Sequence, residues 1–156
     1  MRITALIHTH NDALRLGRCL ETLYPCDQIV VVDHASDDGT LRVAREYGSR
    51  VIPGKAAAQP LAALDAASWI LCLDARESLT EKLAASLFEW KSQAGAAGAP
   101  AFSVFLREET AEGWVDHPAA QTRLVPHGWQ RWQGRFPAHE AGALALEGEL
   151  LRFVLP

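Results

Sequence analysis

The segment from Ile29 to Thr40, IVVVDHASDDGT, constrains the fold of this chain more than any other stretch. Its first four residues are all β-branched, a pattern typical of a strand that is covered on both faces, as in a parallel sheet. Asp33 lies where this strand ends, and the residues after it favour the start of a helix that ends at Gly48. A carboxylate in this position, beside a helix N-terminus, commonly holds a ligand. The segment therefore predicts an α/β fold with a functional edge.

Strand and helix patterns alternate along the first 98 residues. Apolar runs predict strands at Ile3–Ile7, Ile29–Val32, Arg50–Ile52 and Trp69–Leu73. Helical spacing predicts helices around Leu16–Leu23, Leu41–Tyr47, Ala56–Ala67 and Leu79–Trp90, with Ser78 and Glu81 at capping-box spacing before the last. Alternating βα units favour a three-layer α/β/α arrangement around a mainly parallel central sheet.

The pattern changes to short strands after residue 101. The segments are FSVFLRE, QTRLVP and ALALEGELLRFVL, of which the last is a strand or a hairpin around Gly148. They predict a small antiparallel C-terminal part. Because 156 residues suit one domain and no repeat or linker divides them, we expect a single domain with a βα half, 1–98, and an antiparallel half, 99–156.

Composition excludes several classes of function. A net charge of −4 argues against nucleic acid or an anionic membrane surface as the main partner. Cys19, Cys26 and Cys72 lack the spacing of a metal or redox motif, which predicts reduced thiols in a cytoplasmic protein. The first residues, MRITALIH, predict a strand instead of a secretory signal, and no window approaches the ~18 apolar residues that span a bilayer.

Two clusters of carboxylates follow apolar strands. They are Asp33 with Asp37 and Asp38, and Asp74 with Glu77. Because the carboxyl ends of parallel strands meet at one rim of a sheet, both clusters can share a pocket. The alternative is that these groups cap helices or stabilise turns. We favour capping for Ser36, Asp37 and Asp38, and a ligand role for Asp33 and Asp74, which directly follow buried strands.

Four motifs resemble those of the inverting glycosyltransferases of family 2, which have the Rossmann-like GT-A fold. IHTHND at 7–12 is similar to I-P-T-Y-N-E, and VVDHASDDGT at 31–40 is similar to V-V-D-x-x-S-x-D-G-T. WILCLDARESL at 69–79 is similar to W-I-L-x-L-D-A-D-E. RLVPHGWQRWQGRFPAHE at 123–140 resembles the R-L-F…G-x-V-H-E segment of the subgroup that acts on lipopolysaccharide-core-like acceptors. Their order and spacing match the family along most of the chain.

The resemblance implies that residues 1–98 form the half that binds a nucleotide diphosphate sugar. Thr9 and Asn11 would line the nucleotide site, and Asp33 would contact the base. Asp74 would be the first aspartate of the family's D-x-D motif, near the ribose and metal-bound water. A divalent cation, Mg²⁺ or Mn²⁺, normally takes up charge on the departing diphosphate in such a reaction.

The same resemblance implies that residues 99–156 face the acceptor, an unidentified saccharide or glycolipid. His139 and Glu140 match the family's H-E pair, in which either side chain can act as general base on the acceptor hydroxyl. Because the chain ends soon after this pair, we expect fewer elements around the acceptor than in longer relatives. The expected location is the cytoplasm or the inner face of its membrane.

Arg76 departs from the family pattern, because it occupies the position of the second D-x-D aspartate. An arginine carries only donors and a permanent positive charge, so it cannot ligate a cation. Three outcomes are open: Glu77 joins Asp74 as a metal ligand, Arg76 itself neutralises the diphosphate, or transfer is lost. In the last case the chain is a catalytically inactive GT-A domain that binds nucleotide or a partner protein.

The segment from Pro53 to Trp69 also departs from the family pattern. It lacks the arginine-asparagine stretch with which the family binds the nucleotide sugar. The side chains of this segment that can form hydrogen bonds to a ligand are those of Lys55, Gln59 and Asp65.

The tryptophans and histidines receive structural interpretations. The tryptophans that could stack on sugar rings are expected to pack instead, namely Trp114, Trp129 and Trp132. His8 and His10 alternate along a strand and are expected to point to opposite faces. The remaining histidines are expected to be surface or capping groups, namely His34, His117 and His127.

Overall fold

A computed structural model describes residues 1–54, 64–93 and 98–155 of the chain. Its helices are α1 (Ala13–Glu21), α2 (Thr40–Glu46) and α3 (Glu81–Ser92). The strands of the first half are β1 (Arg2–Thr9), β2 (Gln28–Asp33), β3 (Arg50–Pro53), β4 (Ser68–Asp74) and β5 (Glu77–Leu79). Those of the second half are β6 (Phe102–Thr110), β7 (Gly113–Asp116), β8 (Gln121–Pro126), β9 (Trp132–Gln133), β10 (Phe136–Pro137) and β11 (Leu144–Arg152).

One sheet contains strands from both halves of the sequence. Its order is β3-β2-β1-β4-β8-β6-β11-β5, with β7 paired to β6. The first four strands run parallel, β8 runs antiparallel to β4 and β6, and β11 runs parallel to β6. The predicted α/β class with a parallel N-terminal sheet is confirmed. The C-terminal strands β6, β7, β8 and β11 extend this same sheet, mostly through antiparallel pairs, while β9 and β10 form a separate two-stranded antiparallel sheet.

The alternative prediction of a hairpin around Gly148 is wrong. Residues 144–152 form the single strand β11, which carries an irregularity between Ala145 and Glu149 where its register with β6 shifts. Gly148 has a φ of +93°, a conformation that glycine adopts without strain. The bend therefore redirects one strand onto α3 instead of reversing the chain.

The central strands bury side chains on both faces, as their uninterrupted apolar runs predict. On one face, Ile3, Ala5 and Ile7 of β1 pack with residues from all three described helices. On the other face, Leu6 packs with residues of β2, β4 and β8 beneath the segment that contains Trp129. Alternate residues of a strand point to opposite faces, so one strand supplies both layers of the core.

The helix predicted at Ala56–Ala67 lies largely outside the described residues, and its described end, residues 64–67, is a turn. None of the three described helices is long and apolar enough to cross a membrane.

The cap of α3 differs from the prediction. Thr80 is the N-cap, and its Oγ1 accepts a hydrogen bond from the Leu83 amide at 3.2 Å. Ser78 lies in β5, where its hydroxyl donates to the Arg18 carbonyl at 3.4 Å. The capping box is therefore wrong, because the pairing of β5 with β11 holds Ser78 in a strand and delays the helix by two residues.

The N-cap residue of α2 is Gly39, which has no side-chain cap, so the capping role predicted for Ser36, Asp37 and Asp38 is wrong in detail. The Asp38 carboxylate accepts a hydrogen bond from the Thr40 amide at 2.9 Å. Ser36 and Asp37 do not cap this helix, because the Ser36 hydroxyl and the Asp37 amide bond to other groups of the neighbouring loops.

Candidate functional site

The predicted site residues of the first half meet at one rim of the sheet. In the register of the parallel strands, Thr9 of β1 lies beside Asp33 of β2, and His8 lies beside Asp74 of β4. Asp33 in turn lies beside Pro53, the last residue of β3. The carboxyl ends of these strands form the crevice in which open α/β sheets bind ligands.

Asp33 is tied into the loop that follows its strand. Its Oδ1 accepts hydrogen bonds from the hydroxyls of Thr9 (2.8 Å) and Ser36 (2.6 Å), and its Oδ2 accepts one from the Ser36 amide (3.0 Å). Burial of this 6 % exposed residue opposes ionisation, but the donors at Ser36 and Thr9 outweigh it and lower the pKa of Asp33. The carboxylate is thus a charged acceptor that already orders the rim.

Asn11 joins the two loops at this rim. Its side-chain oxygen accepts a hydrogen bond from the Asp37 amide at 2.9 Å, while its own amide donates to the Ser36 hydroxyl at 2.9 Å. Its φ of +53° is in the left-handed region, which asparagine tolerates better than most residues. The β1–α1 and β2–α2 loops are therefore held together by predicted site residues.

Asp74 and Arg76 form an ion pair at the end of β4. The Arg76 Nε donates to Asp74 Oδ1 at 2.9 Å, and its Nη2 donates to Oδ2 at 3.3 Å. The Arg76 amide also donates to Oδ1 at 2.9 Å. Burial opposes ionisation of Asp74, but the Arg76 donors outweigh it and lower the pKa of the carboxyl. About a third of each side chain stays exposed, so both groups face the rim.

Glu77 lies inside the molecule and not at the rim. The residue is fully buried, and its carboxylate accepts hydrogen bonds from Arg123 (2.7 and 2.9 Å), Arg152 (2.9 and 3.3 Å) and the Asp74 amide (2.8 Å). Burial raises the pKa of Glu77, yet the Arg123 guanidinium and the other donors outweigh it, so the net change is downward. Both oxygens are engaged, and this corrects the prediction that Glu77 can serve as a metal ligand.

The rim residues do not fit a divalent cation. Asp74 is paired with Arg76, which places a permanent positive charge where the metal would lie, and Glu77 is enclosed by two guanidinium groups. Within residues 1–54, 64–93 and 98–155, no three His, Cys, Asp or Glu side chains are grouped so that they could hold a metal ion.

Glu140 approaches the same rim from the second half. Its amide donates to the Thr122 hydroxyl of β8 at 3.0 Å, and Oε1 accepts a hydrogen bond from the Gly142 amide at 3.0 Å. Its Oε2 forms an ion pair with Arg131, whose side chain is 61 % exposed. Since Leu124 of β8 pairs with Leu71 of β4, Thr122 is level with Leu73, just below the rim. His139 is exposed beside it.

A histidine cluster at the rim was missed by the sequence-based interpretation. The His8 Nδ1 and His34 Nε2 atoms are 2.8 Å apart, and the His10 Nδ1 lies 2.5 Å from the His34 carbonyl oxygen. Burial, the Arg135 charge and His34 lower the pKa of His8 to about 4. Parallel pairing of β1 with β2 creates this cluster. The sequence carried a signal for it, because His8 directly follows the run Ile3–Ile7, His34 lies two residues after Ile29–Val32, and both predicted strands end at one rim.

No protein-family model matches the chain. An uncharacterised glycosyltransferase of Rickettsia felis is 34 % identical over 91 residues, which cover 53 % of this chain and 31 % of the relative. The lipopolysaccharide core biosynthesis glycosyltransferase LpsC of Rhizobium meliloti is 40 % identical over 45 residues, 29 % of this chain and 17 % of LpsC. A TPR repeat-containing protein of Synechococcus elongatus is 32 % identical over 123 residues, 74 % of this chain and 30 % of that protein. The chain spans less than a third of each of these relatives.

Solved structures that match part of this chain include S. aureus TarS 1-349 in complex with UDP-GlcNAc, with a TM-score of 0.49 and 20 % identity over 70 % of this chain and 34 % of that TarS chain. Glucosyl-3-phosphoglycerate synthase from Mycobacterium tuberculosis, in complex with Mn²⁺, UDP and glucosyl-3-phosphoglycerate, gives a TM-score of 0.47 and 16 % identity over 69 % of this chain and 43 % of that protein.

The structure shows an α/β domain, and part of its sequence is similar to proteins named as glycosyltransferases. These relatives confirm the resemblance to glycosyltransferases over the segments that they match. None of the relatives reported above is described as a member of family 2, so that narrower assignment stays a prediction.

Proposed function

We propose that this chain binds a nucleotide diphosphate sugar at the rim and transfers the sugar to an acceptor hydroxyl with inversion. The observation that carries this proposal is the Asp74–Arg76 ion pair at the carboxyl end of β4, beside Thr9 and Asp33. It puts a fixed, partly exposed cation at the crevice where an α/β sheet of this class binds its ligand.

Arg76 is the group that would neutralise the diphosphate. It donates two of its five side-chain N–H groups to Asp74, which leaves three for phosphate oxygens. The hydrogen bond to Asp74 raises the pKa of Arg76, so the guanidinium stays charged throughout the accessible pH range. A planar guanidinium binds phosphate in a bidentate manner and would supply the positive charge that a divalent cation normally supplies in such a reaction.

The nucleoside would lie along the ends of β1 and β2. Thr9 and Asn11 line this part of the rim, and Asp33 Oδ2 accepts one hydrogen bond from the Ser36 amide, which leaves acceptor capacity for a base N–H. The donors that keep Asp33 ionised also hold its carboxylate in one orientation, so a bound base would find the acceptor already ordered.

Glu140 or His139 would take the proton of the acceptor hydroxyl. The acceptor oxygen forms a bond to the anomeric carbon on the face opposite the diphosphate, while the bond from that carbon to the diphosphate oxygen breaks. The electron pair leaves with the diphosphate, which Arg76 stabilises. Glu140 becomes available when the exposed Arg131 side chain moves away from it.

A catalytically inactive domain that binds nucleotide or a partner is the second candidate. It is favoured by one observation, that both oxygens of Glu140 are engaged by the Gly142 amide and Arg131. Binding without turnover would identify this candidate.

Calorimetric titration with UDP, GDP, dTDP and their sugar conjugates, with and without Mn²⁺, tests the donor site. We expect saturable binding without metal, and a loss of ~tenfold or more in affinity for Arg76→Gln because a charge-assisted phosphate contact is removed. Arg2→Gln is the matched control, since Arg2 is also an arginine paired with an aspartate, Asp65, and lies at the end of β1 opposite the rim. Absence of binding by folded protein, or binding that requires Mn²⁺, would contradict the role of Arg76.

A further inference from the structure

Three side chains from separate elements form a contact cluster beside the proposed donor site. Phe153 follows β11, and its ring forms a T-shaped pair with Trp114 of β7, with a centroid distance of 5.2 Å and an interplanar angle of 87°. The guanidinium carbon of Arg18, from α1, lies 3.7 Å from the Phe153 ring centroid. We call these three residues the aromatic platform.

The aromatic platform is attached directly to the Asp74–Arg76 turn. The Phe153 amide donates a hydrogen bond to the Arg76 carbonyl oxygen at 2.9 Å. The preceding residue, Arg152, binds the buried Glu77 carboxylate. The platform is therefore joined to the turn that carries the guanidinium proposed to bind the diphosphate.

The Trp114 side of the aromatic platform is open to solvent and can contact a ligand. Trp114 is 44 % exposed, and every residue of β7 is exposed. By contrast, the indole N–H groups of Trp129 and Trp132 donate to the carbonyls of Arg131 and Trp129, as expected for packed tryptophans. The prediction that tryptophans pack thus holds for these two, whereas Trp114 presents ring surface to solvent.

Arg18 adds a positive charge to this surface. Its side chain is exposed, and no carboxylate of the described residues lies within 4 Å of its guanidinium. Two other arginines next to Phe153, namely Arg76, whose carbonyl binds the Phe153 amide, and Arg152, are both paired with carboxylates. A cation held on an aromatic ring and free of an acidic partner is suited to an anionic group of a ligand.

We propose that the aromatic platform binds a pyranose ring that carries a negative charge, on the acceptor side of the same site. The C–H face of the ring would pack on the exposed indole of Trp114, and its phosphate or carboxylate would pair with Arg18. This assignment rests on the proposed function, because the rim supplies the donor sugar beside it. It specifies the acceptor as an anionic saccharide.

Nuclear magnetic resonance titration of the protein with glucose 6-phosphate, methyl glucuronide and uncharged methyl glucoside tests the assignment. We expect saturable shifts of the Trp114 indole signal with both anionic sugars. A response to the phosphate and to the carboxylate indicates a site for anionic sugars in general, whereas a response to glucose 6-phosphate alone indicates a phosphate site. Arg18→Gln should weaken the two anionic sugars ~fivefold or more and leave the neutral sugar unchanged, because one charge-assisted contact is lost. Trp114→Ala should remove the response to all three.

Phe88→Ala is the control, because Phe88 is a 47 % exposed aromatic that stacks on Tyr24 and lies near a lysine at a different surface. It should change no affinity. Shifts that persist in Trp114→Ala, or that are equal for charged and neutral sugars, would overturn the assignment. Arg18→Gln alters an exposed helix residue, so it decides the question even if the tryptophan variant does not fold.

UDP titrations of the same variants separate the two proposals. If UDP binds wild type and Trp114→Ala equally while no sugar shifts the indole signal, the platform assignment is wrong and the donor site stands. If UDP fails to bind but the sugars bind at Trp114 with the expected dependence on Arg18, the donor site is wrong and the platform is a saccharide site of another kind. Parallel loss of UDP and sugar binding in Trp114→Ala would show that the platform belongs to the donor site.

Discussion

At the scale of single residues, Asp33 has a structural role at the rim that can be measured separately from its proposed contact with a ligand. Three donors from Thr9 and Ser36 lower its pKa, so its ionised form stabilises the folded state at pH values above the ordinary carboxyl value of 3.8. This contribution is lost as pH falls below 3.8 through the lowered pKa. The same donors hold the carboxylate where a nucleobase would meet it.

Asp33→Asn should therefore destabilise the protein by about 2 kcal/mol at neutral pH, because hydrogen bonds to a charged acceptor become weaker and one N–H donor is misplaced. The difference in free energy of unfolding between wild type and variant should shrink below pH 3.8. Urea unfolding at pH 7 and at pH 3 measures it. An equal difference in the free energy of unfolding at both pH values would contradict the proposal that the ionised Asp33 carboxylate stabilises the fold.

His8 predicts a pH dependence in a different range. Its pKa is lowered from 6.5 to about 4, so the unfolded chain binds a proton more readily and stability falls as pH drops from 6.5 towards 4. Because His8 is only partly buried, solvent screening limits the full effect to at most about 3 kcal/mol. His8→Asn should make the free energy of unfolding less dependent on pH in this interval, as measured by urea unfolding at pH 7, 5.5 and 4.5. An unchanged slope would show that His8 is not the titrating group.

At the scale of elements, the buried Glu77 carboxylate of β5 forms hydrogen bonds with residues of three other strands. Glu77 lies in β5, Arg123 in β8 and Arg152 in β11, and the Asp74 amide at the end of β4 donates to the same carboxylate. A buried ion pair adds little stability compared with apolar side chains packed in the same space. Removal of one partner is nevertheless strongly destabilising, because it leaves an uncompensated buried charge. The arrangement sets the orientation of the Asp74–Arg76 turn.

Glu77→Gln should cost roughly 3–5 kcal/mol, since the Arg123 side chain, 1 % exposed, would keep its charge without a full counterion. Asp116→Asn removes the exposed partner of Arg107 and should have little or no measurable effect. Thermal and urea unfolding of both variants compares them. Similar losses for the two substitutions would argue against a special role of the buried pair.

The bend in β11 gives a second prediction at this scale. A Cβ atom at Gly148 would lie 2.3 Å from the Leu83 amide nitrogen and 2.7 Å from the Leu83 Cα, at a φ of +93°. Gly148→Ala should thus cost more than about 2 kcal/mol through steric overlap and backbone strain. Gly113→Ala is the control, because Gly113 has a φ of +117° but meets no atom within 4 Å. Urea unfolding should show the larger loss for Gly148→Ala.

At the scale of the whole molecule, the two halves of the chain complete each other. β4 pairs with β8 and β5 pairs with β11, so each half covers a sheet edge of the other. The boundary between residues 1–98 and 99–156 is therefore a boundary in the sequence alone, because strands from both halves are hydrogen-bonded to one another in the sheet. Assignment of these halves to donor and acceptor stays a prediction.

A fragment of residues 1–98 should lack a cooperative urea transition, because Glu77 would lose Arg123 and Arg152, and the edge of β4 would be left unpaired. Mixing it with a fragment of residues 99–156 should restore part of the transition. Circular dichroism of each fragment and of the mixture measures both effects. A cooperative transition in the first fragment alone would contradict this dependence.

Much of the first half follows from local sequence patterns. The uninterrupted apolar run at 29–32 predicted a buried parallel strand, and the observed strand extends one residue further at each end. Thr9, Asp33 and Asp74 were placed at strand ends correctly, since topology brings the ends of parallel strands together. The same logic failed for Ser78, where pairing with β11 overrides a good capping pattern.

Local pattern determined which segments become strands and helices, and which polar groups end them, because these depend on neighbours within a few residues. The tertiary structure decided which charges are neutralised. Glu77 and Asp74 are three residues apart and alike in type, yet one is enclosed by Arg123 and Arg152 while the other faces the rim with Arg76. That difference arises from the sheet order β4-β8-β6-β11-β5, which brings together residues up to 75 positions apart, a pairing that no local periodicity encodes.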